Sequence, residues 1–318
     1  MRNEEDSIRA LLDGLLHQTM PPDEIVIADG GSTDGTRRII EEAIRNGSPI
    51  KLIVDDNSLP GRARNLAVTH ARNEWIAFID AGIKPASDWL ARLAEKATGD
   101  VDVVYGTYDP IVDSFFKECA AMAYVPPVSA TTEGPVRPRS IASALMRREA
   151  WRAAGGFPED LRSAEDLVFM NRVEHAGFRI GRAPRAVVQW NIQPGFLSTF
   201  RRFVVYARHN IRAGLWREWQ AAIFVRYALL VALALPAIFF GLRWLIVPIA
   251  CWFFLLLLRA VRTLWKNRIQ SRGVGRKILC LLMLLPIIAT LDAAAFVGSL
   301  SWLLCDKLGA AGSRQSAQ

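Results

Sequence analysis

From Ala221 onward the chain is dominated by apolar runs too long for a globular core. Ala222–Gly241 and Trp244–Leu258 are split only by Leu242 and Arg243, and Ile278–Cys305 forms a third run. A helix crossing a bilayer needs roughly 20 apolar residues. The second run is short by that measure, with Trp244 and Arg259 placed for the two interfaces. The expectation is a tight transmembrane hairpin followed by a third, tilted span. Arg259–Lys277 carries seven Lys or Arg and no acid, and the positive-inside rule makes it cytoplasmic. A hairpin before it leaves residues 1–220 cytoplasmic too, and the third span puts the tail outside. The implied place is the inner (plasma) membrane, multi-pass. Asp292 falls within the third span, where a charge is costly and often functional; a protonated or helix-partnered Asp at a polar bend is the other reading.

The formal net charge of +8 suits either nucleic acid or an anionic membrane surface. The apolar runs decide for the membrane, and no nucleic-acid partner is expected. Cys119, Cys251, Cys280 and Cys305 have neither metal-ligand spacing nor a disulfide framework. The N-terminus, MRNEEDSIRA, is charged throughout and unlike a secretory signal.

Residues 1–195 read as an α/β domain. Ile8, Leu11, Leu12, Leu15 and Leu16 line one face of a first helix. Ile25-Val26-Ile27-Ala28 is a short buried strand, ending at Asp29-Gly30-Gly31-Ser32 and followed by a helix over 34–46. Strand 50–54, helix 61–72 and strand 75–79 continue the alternation, which argues for a parallel, doubly wound sheet. A helix over 87–97, a strand over 101–108, a strand over 141–146, helices over 148–154 and 165–176 and a strand over 186–190 complete the domain. Residues 126–139 are expected to be an active-site loop. Residues 196–219 form a basic amphipathic helix with Phe196, Phe200, Phe203, Ala207, Ile211 and Leu215 on one stripe and Arg201, Arg208 and Arg212 beside it. That pattern suits a helix in a membrane interface. The expected divisions are therefore 1–195, 196–220 interfacial, 221–305 transmembrane and 306–318 a flexible tail.

Ligands of open α/β sheets bind at the carboxyl ends of strands, and these ends carry acids. The run Asp29-Gly30-Gly31-Ser32-Thr33-Asp34-Gly35-Thr36 resembles the nucleotide-binding signature of family 2 glycosyltransferases, which have the GT-A fold. Gly61-Arg62-Ala63-Arg64-Asn65 resembles the family's Gly-x-Ala-Arg-Asn at a helix start. Gly155-Gly156-Phe157 followed by Glu165-Asp166 resembles its Gly-Gly-Phe … Glu-Asp block. The resemblance covers about residues 3–190 and implies a GT-A-type doubly wound mixed sheet and an inverting transfer from a nucleotide sugar, most plainly a UDP-linked one. It implies Asp29, with Gly30 and Ser32, on the base and ribose, and Asp55 or Asp56, with Asp56 assigned, beside them. Arg62 and Arg64 at a helix N-terminus suit a diphosphate. Asp166 is implied as general base, with Glu165 in the acceptor site.

Asp80-Ala81-Gly82 stands where most of the family has Asp-x-Asp, which holds Mg²⁺ or Mn²⁺ against the donor diphosphate. Gly82 removes one ligand, so Asp80 is the metal ligand that remains. The family's first strand would precede Asn3-Glu4-Glu5, and Met1 sits where it should end; either the start is misassigned, which is the expectation, or the sheet lacks an edge of its binding crevice. The interfacial helix and apolar runs point to a membrane lipid or lipid-linked acceptor. A processive polysaccharide synthase would carry Gln-x-x-Arg-Trp near the interfacial helix, which Gln189-Trp190-Asn191 and Gln193-Pro194 do not supply. A non-catalytic binding protein on a degenerate scaffold is favoured by the missing first strand and Gly82 and opposed by Asp29, Arg64 and Asp166. No Gly-x-Gly-x-x-Gly follows a strand, which argues against a dinucleotide oxidoreductase.

Overall fold

The computed structural model describes residues 1–267 and 273–308. The chain divides into two compact units. One comprises Met1–Ile111 and Val128–Asn191; the other comprises Val112–Pro127 and the residues from Ile192 onward.

The first unit runs α1 (Glu5–Leu16), β1 (Ile25–Asp29), α2 (Thr36–Arg45), β2 (Ile50–Val54), α3 (Pro60–His70), β3 (Trp75–Phe78), β4 (Ile83–Pro85), α4 (Trp89–Ala94) and β5 (Val103–Ile111). The chain then leaves for α5 (Phe115–Tyr124) of the second unit and returns as β6 (Ser129–Thr131), β7 (Gly134–Val136), β8 (Ala144–Arg147), α6 (Arg148–Ala153), α7 (Glu165–His175) and β9 (Ile180–Asn191). β1 and β2 pair in parallel. Five of the other strands form a sheet ordered β3-β8-β5-β9-β4, and β6 pairs only with β7. β8 runs antiparallel to β3 and β5, β5 runs parallel to β9, and β4 runs antiparallel to β9. The sheet is thus mixed rather than parallel across the first three strands, because β3 takes a partner nearly seventy residues later in the chain.

Strand alternation sorts side chains to two faces. Val104 and Leu145 join Ile8, Leu12, Ile40 and Leu93 in one core, whereas Val103, Tyr105 and Met146 join Phe157 and Phe169 in the other. In the second core Phe157 stacks on Phe169 at 3.9 Å and meets Phe78 edge-on at 5.6 Å. This aromatic stack ties the segment before α7 to the end of β3. Residues 126–139 are not an open loop. They contain the hairpin β6–β7, and Arg137 is anchored on β5 by donating to the Tyr108 carbonyl at 2.7 Å.

The second unit contains α5, α8 (Phe196–Arg212), α9 (Trp216–Trp219), α10 (Ala221–Ala234), α11 (Ala237–Phe240), α12 (Ile246–Lys266) and α13 (Val274–Ser301), the last continuing in π-helical turns over Trp302–Leu308. The single helix expected over 196–219 is broken at Gly214, whose φ of +79° ends α8. α12 runs eight residues past Leu258, so the second apolar run is longer than its hydrophobic core and part of the expected basic loop is helical. The centre of that loop, 268–272, and the expected tail beyond Leu308 lie outside the described residues. Ala221–Phe240, Leu242–Lys266 and Val274–Leu308 are each long and apolar enough to cross a membrane. The apolar stripe of α8 is not bare: Phe196 meets Phe116 and Phe203 meets Tyr124, both at 4.9 Å.

Candidate active site

β1 ends in a fully buried carboxylate. Asp29 accepts from the amides of Gly31 at 3.2 Å and Ser32 at 3.0 Å, from the Ser32 hydroxyl, and from Arg37 Nε at 2.5 Å. Burial alone would raise its pKa. The Ser32 hydrogen bonds and the Arg37 charge outweigh that and hold it below the ordinary carboxylate range. Gly30 and Gly31 are required by the backbone. A Cβ at Gly30 would lie 2.8 Å from the Ser58 carbonyl, and Gly31 has a φ of +89°. Asn3 braces this turn from outside: its amide donates to Ser32 Oγ and its side-chain oxygen accepts from the Thr33 amide, both at 2.9 Å.

Arg37, on the first turn of α2, was not among the residues expected here. It bridges Asp29 to the exposed Asp56, reaching Asp56 Oδ1 at 2.6 Å. Two acids from successive strand ends thus face one guanidinium. The only sequence signal is an arginine directly after Asp-Gly-Thr.

α3 starts with Pro60 at its first position, where the missing amide hydrogen costs nothing. Its first two turns present two arginines with different surroundings. Arg62 is half-exposed and pairs with Asp55 at 2.6 Å and Glu159 at 3.6 Å. Arg64 is largely buried, donating to Asp80 Oδ1 and Glu165 Oε1, both at 2.6 Å, with its guanidinium 5.4 Å from the Phe157 ring centre. Burial works against its charge, and the two acids override it, raising its pKa. Asn65 fixes this arrangement. It donates to the Phe157 carbonyl and Glu159, and accepts from the Trp151 indole at 3.0 Å and the Phe157 amide at 2.9 Å. The segment 157–159 is thereby fastened to α3.

Asp166 follows Glu165 on the first turn of α7. Burial, then repulsion from Glu165, push its carboxyl up to about 6 even with Arg64 nearby. Ala164, just before, holds a left-handed φ of +68°. Non-glycine residues there are strained and cluster at functional sites. Glu165 is buried, and its Oε2 has no hydrogen-bond partner among the described residues.

The expected residues therefore fall into two adjoining clusters: Asp29, Gly30, Ser32 and Asp56 around Arg37, and Asp80, Glu165 and Asp166 around Arg64. Arg62 belongs to the rim between α3 and Asp55. Gly82, where the second acid of the pair would stand, adopts a φ of +78°. Among the described residues no three His, Cys, Asp or Glu side chains are grouped to hold a metal ion. Asp80 supplies one hard oxygen donor, 40% exposed, where a cation could share it with a phosphate.

Residues 1–151 match the family model described as Glycosyl transferase family 2. The chain carries a family 2 glycosyltransferase domain. The succinoglycan biosynthesis protein ExoA of Rhizobium meliloti is 28% identical to this glycosyltransferase over 266 residues, covering 79% of each chain. The putative glycosyltransferase EpsH of Bacillus subtilis is 35% identical over 106 residues, 33% of this chain and 31% of that one. The mannosyltransferase PcManGT of Pyrobaculum calidifontis, solved with GDP-Man and Mn²⁺, shares the fold with a TM-score of 0.57 at 19% identity, covering 95% of this chain and 85% of the other.

Proposed function

We propose that this glycosyltransferase moves a sugar, with inversion, from a nucleotide-sugar donor to a lipid or lipid-linked acceptor at the cytoplasmic face of the inner membrane, within polysaccharide assembly. The observation that carries the reading is Arg64, held at 2.6 Å by both Asp80 and Glu165, with the proton-hungry Asp166 beside them.

Asp29 and Asp56 receive the base and ribose, in exchange for part of their contact with Arg37. A UDP-linked donor suits the buried acceptor at Asp29. Arg64 and Arg62, at the start of α3, face the diphosphate. Asp80 fits Mg²⁺ or Mn²⁺ only as a shared site, since one carboxylate plus phosphate oxygens and water is an ordinary set for such ions. A bound metal would neutralise charge building on the leaving diphosphate. Asp166 takes the acceptor hydroxyl proton as that oxygen attacks the anomeric carbon from the face opposite the diphosphate. Its raised pKa makes it a better base than an ordinary carboxylate. Glu165 orients Arg64 and the acceptor. ExoA and PcManGT support a role in glycan assembly and the use of a nucleotide sugar with a divalent cation. The basic residues of Arg259–Lys277 support the cytoplasmic placement.

Membranes carrying the protein are tested for nucleoside diphosphate release across a panel of nucleotide sugars, with Mg²⁺ or Mn²⁺ and native lipid extract. Lipid-dependent release from one donor is expected. Release from none would favour a binding protein on a transferase scaffold.

A further inference from the structure

α13 has the length and apolarity of a span, yet its neighbours are those of a helix lying flat. α5 holds its start: Arg276 pairs with Glu118 and covers the Phe115 ring. α8 holds its end. Arg208 chelates Asp306 at 2.8 and 3.0 Å, and a Cβ on Gly298 would collide with the Val204 carbonyl and approach Ala207 Cβ to 2.7 Å. α5 and α8 also touch each other through the Phe116–Phe196 and Tyr124–Phe203 pairs. A helix gripped at both ends by one contiguous pair of helices lies on their side of the bilayer. α8 cannot follow it into hydrocarbon, because Arg201, Arg202 and Arg212 are exposed on its surface and charges at such depth are costly.

Pairing depth gives the same answer. Asp292 receives Arg259 Nη2 at 2.9 Å and the Tyr227 hydroxyl at 3.2 Å. At 1.5 Å per residue Asp292 lies about 27 Å along α13 from Val274, whereas Arg259 lies only about 10 Å along α12 from Lys266. Two upright spans entering from one face would pair residues at equal depth. The mismatch, about 16 Å, is half a hydrocarbon core of about 30 Å. It vanishes when α13 runs in the membrane plane across the base of the α10–α12 hairpin. α13 is also two-faced. Ile278, Leu282, Phe296, Leu300 and Leu304 are exposed along one stripe, and Cys280, Leu284, Ile287 and Gly298 are buried on the other. The hairpin end is bare, with Ile238, Phe239 and Leu242 each more than three-quarters exposed.

We infer that the α10–α12 hairpin alone crosses the membrane. α13 lies in the interface of the leaflet facing α5 and α8, with its exposed apolar stripe in the acyl region. Asp292 then serves as the clasp joining hairpin to platform rather than as a charge at mid-bilayer. Two crossings return the C-terminus to the side of the N-terminal domain; three would not. The inference rests on the membrane placement proposed above and not on the sugar chemistry.

The test uses the full chain in cells, with an epitope at each terminus probed by antibody before and after permeabilising the membrane. R243C, at the hairpin tip, is labelled with an impermeant maleimide, and the unsubstituted chain is labelled in parallel. The two epitopes are expected to become accessible under the same condition and residue 243 to label under the other. A C-terminal epitope exposed on the side opposite the N-terminal one, or a residue 243 thiol on the same side as it, would overturn the inference. Recovery of the chain in the soluble fraction would overturn the membrane placement itself.

Discussion

Arg64 and Asp80 face each other at 2.6 Å, the arginine near the start of α3 and the acid two residues past the end of β3. The same guanidinium holds buried Glu165. Removing one partner of a buried pair leaves an uncompensated charge and typically costs about 3–5 kcal/mol. Arg64→Ala is therefore expected to lower stability by about 3 kcal/mol, through Glu165 more than through the better-exposed Asp80. Arg64→Lys, which can serve one acid at a time, is expected to fold better and still lose most transfer. Denaturant unfolding alongside a transfer assay checks both.

Asp80→Asn tests the shared metal site. Activity is expected to need at least tenfold more Mn²⁺ or Mg²⁺, with the fold intact by circular dichroism. An unchanged metal titration would remove Asp80 from the metal's coordination.

The raised pKa of Asp166 predicts two pH effects. As the base it must be ionised, so transfer should fall as pH drops through about 6. For stability the sign is opposite to that of a salt-bridged acid. The folded state binds this proton more tightly than the unfolded chain does. Its stabilising contribution is present below the ordinary carboxylate value and is lost as pH rises through about 6. Asp166→Asn is therefore expected to raise Tm at pH 7.5, and the gain should shrink towards pH 4. Thermal melts of both proteins across pH measure it.

Ala164 at φ +68° is expected to tolerate glycine and reject branching. The left-handed region costs a non-glycine residue about 1–2 kcal/mol, and Val adds χ1 crowding. Ala164→Val should destabilise by about 2 kcal/mol or more, and Ala164→Gly should leave Tm unchanged or higher. Calorimetry of the two variants separates a strained turn from an ordinary one.

Much of this architecture was legible because its elements are local. Ile25–Asp29 is a continuous apolar run ending in an acid, and the helices of the first unit carry plain 3.6-residue periodicity. What pairs with what was not legible. Nothing in Trp75–Phe78 names β8 as its antiparallel partner, and a three-residue strand containing Pro85 has no pattern to find. In the site, the strand-end acids stood out, whereas nothing local marks Arg37, which only the fold brings to Asp29 and Asp56. Asn65 was visible only as part of a motif; its four hydrogen bonds reach residues about ninety positions away. The partner that Arg208 of α8 finds, Asp306, lies 98 positions later and could not be read from the helix's own pattern.

The role of Asp166 as the base of a sugar transfer is tested by comparing wild type with Asp166→Asn once the donor is known. Donor binding by calorimetry and lipid-dependent transfer are read on the same membranes. With Asp166 as the base, donor affinity stays within a few-fold of wild type and transfer falls about 10²–10⁴-fold. Transfer within tenfold of wild type in Asp166→Asn would contradict it.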